Sequence, residues 1–450
     1  MPNEIVSDIA VQEETIQRAC GSPTLPEFGV IEQRWETDPI PDDEIADRAS
    51  EAVTSLPFED VPEGGTVALG VGSRGIDALS TIVEGVVRGV RDLGFDPIVV
   101  PAMGSHGGAT AEGQQEKLAA LGVTEESVGC EIRATMDVTQ VGETPERGVP
   151  LYFDAIAAEA DAIVPINRIK PHTDFDGSVE SGLSKMIVIG LGKQRGAKMA
   201  HDWAVDWSFR NMIPEIGSQL LDELPIVGGV AIVEDEHDET TLLEGIPPEG
   251  FLDREEELLE MAYDRMPTLP FEEVDVLVVD ELGKDISGQG IDTNVIGRRP
   301  FTINEPEPER PDVKRIYVRG LTPKTKGNAM GVGSADLIHR DVFANVDTSK
   351  SLINAMTAST VRGVRLPPVV ETDRAGLTAA LSTIGVVDPE DARVLRVSDT
   401  MHLKRAFASP ALVEEARERD DLTVVAEPEP IAFENGAFVE PIPEPSESHP

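Results

Sequence analysis

The chain has 450 residues, 83 of them acidic and 38 basic, giving a formal net charge of −45 at pH 7. That length exceeds one ordinary hydrophobic core and predicts two domains, while a negative charge spread along the whole chain repels nucleic acid and anionic lipid and excludes both as partners. With Cys20 and Cys130 as the cysteines, no disulfide framework or zinc–thiolate cluster is expected.

The dispersed acidity is read as a halophilic adaptation, in which salt screens the self-repulsion of a hydrated acidic surface. No basic region followed by an apolar core opens the chain and no apolar run approaches a membrane span, which predicts a cytoplasmic protein. Residues 1–62 are acidic and proline-punctuated, with a helical stretch at 42–56 and a strand or two before it. The run from Thr66 to Val71 predicts a strand, 72–75 a tight turn, 76–93 a helix and 97–101 the next strand, which together make a βαβ unit and hence a parallel sheet. Gly70, Gly72 and Gly75 match a G-x-G-x-x-G pattern literally. However, Arg74 within the turn suits a carboxylate or phosphate, gripped by its guanidinium fork, better than a dinucleotide.

The second strand of that unit delivers His106 in a glycine-rich turn, with Thr110 capping a helix over 111–121. A further buried strand, Asp161 to Ile166, ends in a polar loop marked by Pro171, so His172 falls just beyond its carboxyl end. Ligands of open α/β sheets bind at that rim. Arg74, His106 and His172 all stand there, and three such residues on one edge point to a site. Lys185 abuts the apolar run MIVIGLG, where a partly desolvated amine can serve as a nucleophile or attachment point. Lys170, Lys185, Lys193 and Lys198 gather in this one stretch. His201 is read as the opening residue of an aromatic-rich helix. A strand at 226–235 and an acidic helix at 253–266 close the first domain near Pro270.

A second βα pattern begins with a buried strand at 274–279. A long glycine-rich loop follows, bearing Lys284, Asp285, Asp292, Asn294, Arg298 and Arg299; loops of that length are usually functional or disordered. Another strand is expected at 315–320, and the acidic, proline-rich run from Ala426 reads as a flexible tail. The predicted fold is therefore α/β in two domains. An N-terminal parallel-sheet domain at residues 1–269 carries the site, a smaller C-terminal α/β domain at 270–425 closes over it, and 426–450 is the tail.

The arginine turn GVGSRG, the histidine turn GSHGGAT, the segment KPHTDFDGSVESGLSKMIVIGLG and the histidine of AKMAH stand in a familiar order and spacing. In them the first domain resembles the nickel-dependent lactate racemase family, whose members racemise or epimerise 2-hydroxy acids; the second domain adds the GIDTN stretch. The resemblance implies a nickel pincer nucleotide, a pyridinium mononucleotide that holds nickel between two sulfurs and a ring carbon. Lys185 would tether it and His201 would be the protein's nickel ligand, in keeping with the affinity of nickel for imidazole. His106 and His172 would be the acid/base pair and Arg74 would hold the substrate carboxylate. One histidine would take the hydroxyl proton while the Cα hydride moves to the cofactor, leaving a planar 2-keto acid. Return of the hydride to the opposite face, with the other histidine supplying the proton, would invert the centre. The implied partners are a small-molecule 2-hydroxy acid and the cofactor-maturation enzymes. The chain differs from the family at Val71, where an acidic residue usually stands. It differs again at Glu180-Ser181-Gly182-Leu183-Ser184, where the family has a glycine- and basic-rich run.

Two other readings compete. His172, Asp174 and Asp176 would share one face of an extended segment and could chelate a divalent ion in a hydrolase. Alternatively, the scaffold could serve a non-catalytic carboxylate-binding protein.

Overall fold

The computed structural model describes residues 9–21, 23–73, 75–300, 305–388, 391–439 and 441–443. The chain divides into two compact units, one formed by residues 37–266 and the other by residues 1–36 together with 267–450. The first strand, β1 (Phe28–Gln33), therefore does not belong with the segment that follows it. It pairs with strands from the end of the chain, which corrects the expected 1–269 domain. The pairing partners lie hundreds of residues away, so nothing local in residues 1–36 could announce them.

The unit of residues 37–266 contains β2 (Thr66–Val71), β3 (Asp96–Pro101), β4 (Glu131–Ile132), a two-stranded arm of β5 (Val138–Glu143) and β6 (Pro150–Asp154), then β7 (Ala162–Arg168), β8 (Gly229–Glu234) and β9 (Thr240–Ile246). Its six-stranded sheet runs β4-β3-β2-β7-β8-β9. Every neighbouring pair is parallel except β8 with β9. Strands covered on both faces read as continuous apolar runs, as β2 and β3 do. On one face Val67, Leu69 and Val71 pack with Val83, Val86, Val87 and Val90 of the helix Leu79–Asp92. On the other, Ala68 and Val100 meet Ile187, Val188, Leu191 and Ile216. The helix Ile45–Thr54 crosses Leu79–Asp92 so closely that a Cβ at Gly85 would lie 2.3 Å from the Ala46 carbonyl oxygen. Because β3 and β7 lie on opposite sides of β2, the carboxyl ends of these strands form the topological switch point of the sheet.

The second unit adds β10 (Glu273–Leu282), β11 (Asp312–Leu321), β12 (Leu337–His339), β13 (Val369–Val370), β14 (Val394–Val397), β15 (Arg405–Ala408) and β16 (Leu422–Glu429). With β1 they make an eight-stranded sheet ordered β13-β12-β11-β10-β14-β15-β1-β16. It is parallel from β13 to β14 and antiparallel beyond. The fold class is thus α/β in two units, with an antiparallel margin in each sheet. Among the described residues no helix is long and apolar enough to cross a membrane.

Charged residues of the glycine-rich loop after β10 tie it to itself and to segments around β11. Asp292 caps the turn Thr293–Ile296. Arg298 pairs with Asp336 at 2.7 Å, and Arg299, only 1% exposed, donates to Asn294 Oδ1 at 2.8 Å. These groups hold a long connection in place.

The acidic tail is corrected over residues 426–438, while residues 440 and 444–450 lie outside the described residues. β16 carries Ala426 opposite Val30, and a hairpin of Phe433–Glu434 with Ala437–Phe438 follows it. The Phe438 ring lies 4.9 Å from the Arg319 guanidinium and 4.5 Å from that of Arg396. Its N–H donates to Asp373 at 3.0 Å. Composition favoured a solvated tail, but an aromatic ring over two cations held by Asp280 and Asp373 keeps it docked. Phe438→Ala is expected to destabilise this unit by about 1–3 kcal/mol, read as a lower urea midpoint; an unchanged midpoint would show that the hairpin adds nothing.

Candidate active site at the strand ends

His106 follows β3 and His172 follows β7, the strands on either side of β2, so both come after the carboxyl ends at the switch point. At the carboxyl end of β2, Gly72 leaves the chain room to turn, since a Cβ there would lie 3.1 Å from Met186 Cε. Ser73 follows, and its Oγ lies 2.5 Å from His106 Nδ1 in the loop after β3. Arg74, the expected carboxylate grip, lies outside the described residues. The His106 loop is tied down by the Gly104 N–H, which donates to the Gly190 carbonyl at 3.0 Å. The helix after it is capped as expected, with Thr110 Oγ1 accepting from the Gly113 N–H at 3.0 Å.

Beyond β7 the chain turns sharply at His172. Its Nδ1 accepts the Asp174 N–H at 3.0 Å, and its own N–H donates to Glu180 at 2.5 Å. Glu180, 2% exposed, also accepts from the Gly177 N–H at 3.1 Å and from the Tyr263 hydroxyl at 3.0 Å. The His172 ring stacks on Phe175 with centroids 4.7 Å apart, and Phe175 stacks on Phe209 at 5.4 Å. Phe209 in turn meets the His201 ring edge-on at 5.3 Å. Two phenylalanines thus bridge His172 and His201.

Lys185 ends the short helical turn Leu183–Lys185 and leads into a π-helical turn, Met186–Gly190, a distortion that recurs at functional sites. The Glu255 carboxyl accepts from the Ser184 N–H at 3.0 Å and the Ser184 hydroxyl at 2.5 Å, which fixes the start of that turn. A Cβ at Gly182 would sit 2.1 Å from Glu255 Oε1, so a larger residue there would displace the carboxyl that fixes the turn. His201 is largely buried and close to Lys185. Burial, and then repulsion from the Lys185 ammonium, hold its imidazole below the usual histidine value, against the opposing pull of Asp202. A neutral ring at neutral pH follows, which is the state that ligates metals. His201 does not open a helix as expected; it lies within Lys193–Trp207, which breaks at Ser208 (φ 69°) and restarts as Phe209–Glu223. After that break Phe209 lies against the Phe175 and His201 rings.

The lysine cluster disperses in space. Lys198 is an exposed partner of Asp202. Lys193 is fully buried: its Nζ pairs with Asp154 at 2.9 Å and donates to the Pro101 carbonyl at 2.5 Å and to Gln114 Oε1 at 3.1 Å. Gln114 Nε2 in turn donates to the Gly104 carbonyl at 2.9 Å, so the pair buttresses the His106 loop. Sequence reasoning missed Ser73, Phe175, Phe209, Tyr263 and the role of Lys193. Ser and Phe in such positions have no local signature, whereas Glu180 had already stood out as a departure from the family's run. The divalent-ion reading fails on geometry. The 172–176 segment is a turn closed by the Asp174 N–H, not an extended strand, and among the described residues no three His, Cys, Asp or Glu side chains converge on a metal site.

Burial raises the carboxyls of Glu180 and Glu255 to about 7, more strongly than their hydrogen bonds lower them. Each folded value lies above the unfolded one. The stability they contribute is therefore full below pH 4.5 and is lost as pH rises through about 7. At ~3 kcal/mol per carboxyl, Glu255→Gln is expected to become the relatively more stable protein as pH climbs through that window. Parallel urea titrations of variant and wild type would show this, and a constant difference between them would contradict the assignment.

Residues 73–210 match the family model described as the lactate racemase N-terminal domain. No curated protein sequence matches the chain. Among solved structures it is similar to the lactate racemase apoprotein from Thermoanaerobacterium thermosaccharolyticum, at 14% identity over 83% of this chain and 89% of that one, with a TM-score of 0.44.

Proposed function

We propose, from the match of residues 73–210 to the lactate racemase N-terminal domain model, that the chain is an isomerase that racemises or epimerises a small 2-hydroxy acid. We take its cofactor to be a nickel pincer nucleotide tethered to Lys185. The observation that carries the reading is the meeting of Lys185 with a neutral, largely buried His201, itself joined through Phe209 and Phe175 to His172. An attachable amine beside one metal-binding imidazole is a donor set that suits a group bringing its other nickel ligands with it. When bound, that group would supply a reversible acceptor for the Cα hydride.

The chain's own residues have the remaining tasks. His106 and His172 hold or move the substrate's hydroxyl proton at Nε2, since Nδ1 of each is already engaged. Arg74 grips the carboxylate with its fork. Phe175 and Phe209 keep water from the space beside the imidazoles, protecting a reactive keto acid. Glu180 and Tyr263 hold the His172 turn in register. Cofactor-maturation enzymes are the partners this reading requires, in a cytoplasm salty enough to screen a charge of −45.

The test is to produce the chain with and without cofactor-building enzymes. Intact mass, nickel content and loss of optical rotation across a panel of 2-hydroxy acids would then be measured at high salt. The expected result is added mass on the peptide containing Lys185, bound nickel and racemisation of at least one acid. Loaded preparations with neither added mass nor nickel would refute the proposal.

A further inference from the structure

His106 and His172 are held at Nδ1 by partners of different kinds. Behind His106 stands a hydroxyl, Ser73 Oγ at 2.5 Å, and Ser73 is itself only 8% exposed. Behind His172 stands a backbone amide, the Asp174 N–H at 3.0 Å. A hydroxyl can donate or accept, whereas an amide N–H only donates. The difference decides what each ring can do at its other nitrogen.

Consider a proton arriving at Nε2. The substrate O–H bond breaks, the Nε2–H bond forms, and the ring becomes an imidazolium with hydrogens on both nitrogens. Nδ1 must then donate to something. Ser73 can accept that hydrogen, and when the proton returns to the substrate oxygen the same bond persists in the neutral ring, with the Nε2 lone pair restored. His172 lacks this freedom while the Asp174 bond stands. Its Nδ1 lone pair is occupied, so the neutral ring keeps its hydrogen on Nε2 and acts from there as a donor.

We propose that Ser73 is a positioning residue for His106, accepting the Nδ1 hydrogen and so leaving Nε2 able both to take and to give the hydroxyl proton. The geometry favours the pairing independently of the sequence motif. Ser73 and His106 leave adjacent parallel strands whose last residues, Val71 and Pro101, are in register. The His106 loop is further held by its own N–H to the Met103 carbonyl at 3.1 Å. Which proton the pair handles rests on the racemase reading; that the two side chains form a pair does not.

The test uses the full-length chain with Ser73→Ala and Ser73→Thr. In the protein as isolated, two-bond proton–nitrogen spectra, with His106 assigned through His106→Gln, should show the neutral His106 hydrogen on Nδ1 in wild type and Ser73→Thr. Ser73→Ala should shift it towards Nε2. In nickel-loaded enzyme Ser73→Ala should lower kcat by about 10- to 100-fold with KM within about twofold, and Ser73→Thr should recover most of the loss. An unchanged tautomer in Ser73→Ala, or loss of kcat that threonine does not rescue, would overturn the proposal. If the loaded wild type racemises none of the acids tried, the racemase reading fails, and the tautomer alone decides the pairing.

Discussion

Lys193→Met is expected to destabilise the unit of residues 37–266 by about 3–5 kcal/mol, because it leaves the Asp154 carboxylate buried with its cation gone. Both side chains are 0% exposed, so water cannot replace the lost partner. Lys193 also sits at φ 53°, a left-handed backbone conformation that a side chain adopts only when surrounding contacts hold it. Asp154 accepts from the Ile156 and Ala157 N–H groups at 2.8 and 2.9 Å, and Lys193 supports Gln114 and the Pro101 carbonyl. The damage should therefore spread to the His106 loop. Urea unfolding of Lys193→Met, Asp154→Asn and the double variant would read the coupling. The double variant should lose clearly less than the sum of the single losses; strict additivity would mean that the pair is not an interacting unit.

His106→Ala and His172→Ala should each lower kcat of the nickel-loaded enzyme by 10²- to 10⁴-fold, the usual contribution of a positioned acid or base, equivalent to about 3–5 kcal/mol of barrier. Binding of the 2-hydroxy acid, followed by calorimetry, should change far less, since the carboxylate grip is assigned to Arg74. Full kcat in either variant would remove that histidine from the chemistry. A wild-type protein that binds the acid and never racemises it, even when loaded, would instead be the carboxylate-binding scaffold.

The sequence was informative where chemistry depends on position relative to a strand. Thr66–Val71 is a strand with the bounds its apolar run predicted, and the rim residues His106 and His172 follow from reading where such strands end. Thr110 as a helix cap was equally legible, because a hydroxyl accepting a backbone N–H is a local event. Several misjudged features share one property: their partners are remote. Ala426 looked like the start of a solvated tail until Val30 stood across from it. Lys193 looked like a member of a lysine cluster, though its charge answers Asp154 on the β5–β6 arm.

What the amino-acid order determined by itself was the α/β class, the βαβ start of the first sheet, and the residue types delivered to its rim. Alternation, apolar runs and caps act over a few residues and need no other part of the chain. Tertiary structure alone decided that β1 joins the sheet of the second unit, that His201 is kept neutral by burial first and by the nearby Lys185 ammonium second, and that Ser73 and Asp174 stand behind the two imidazoles. Those outcomes depend on through-space distance and on burial, and both arise only when segments distant in sequence pack together and exclude water.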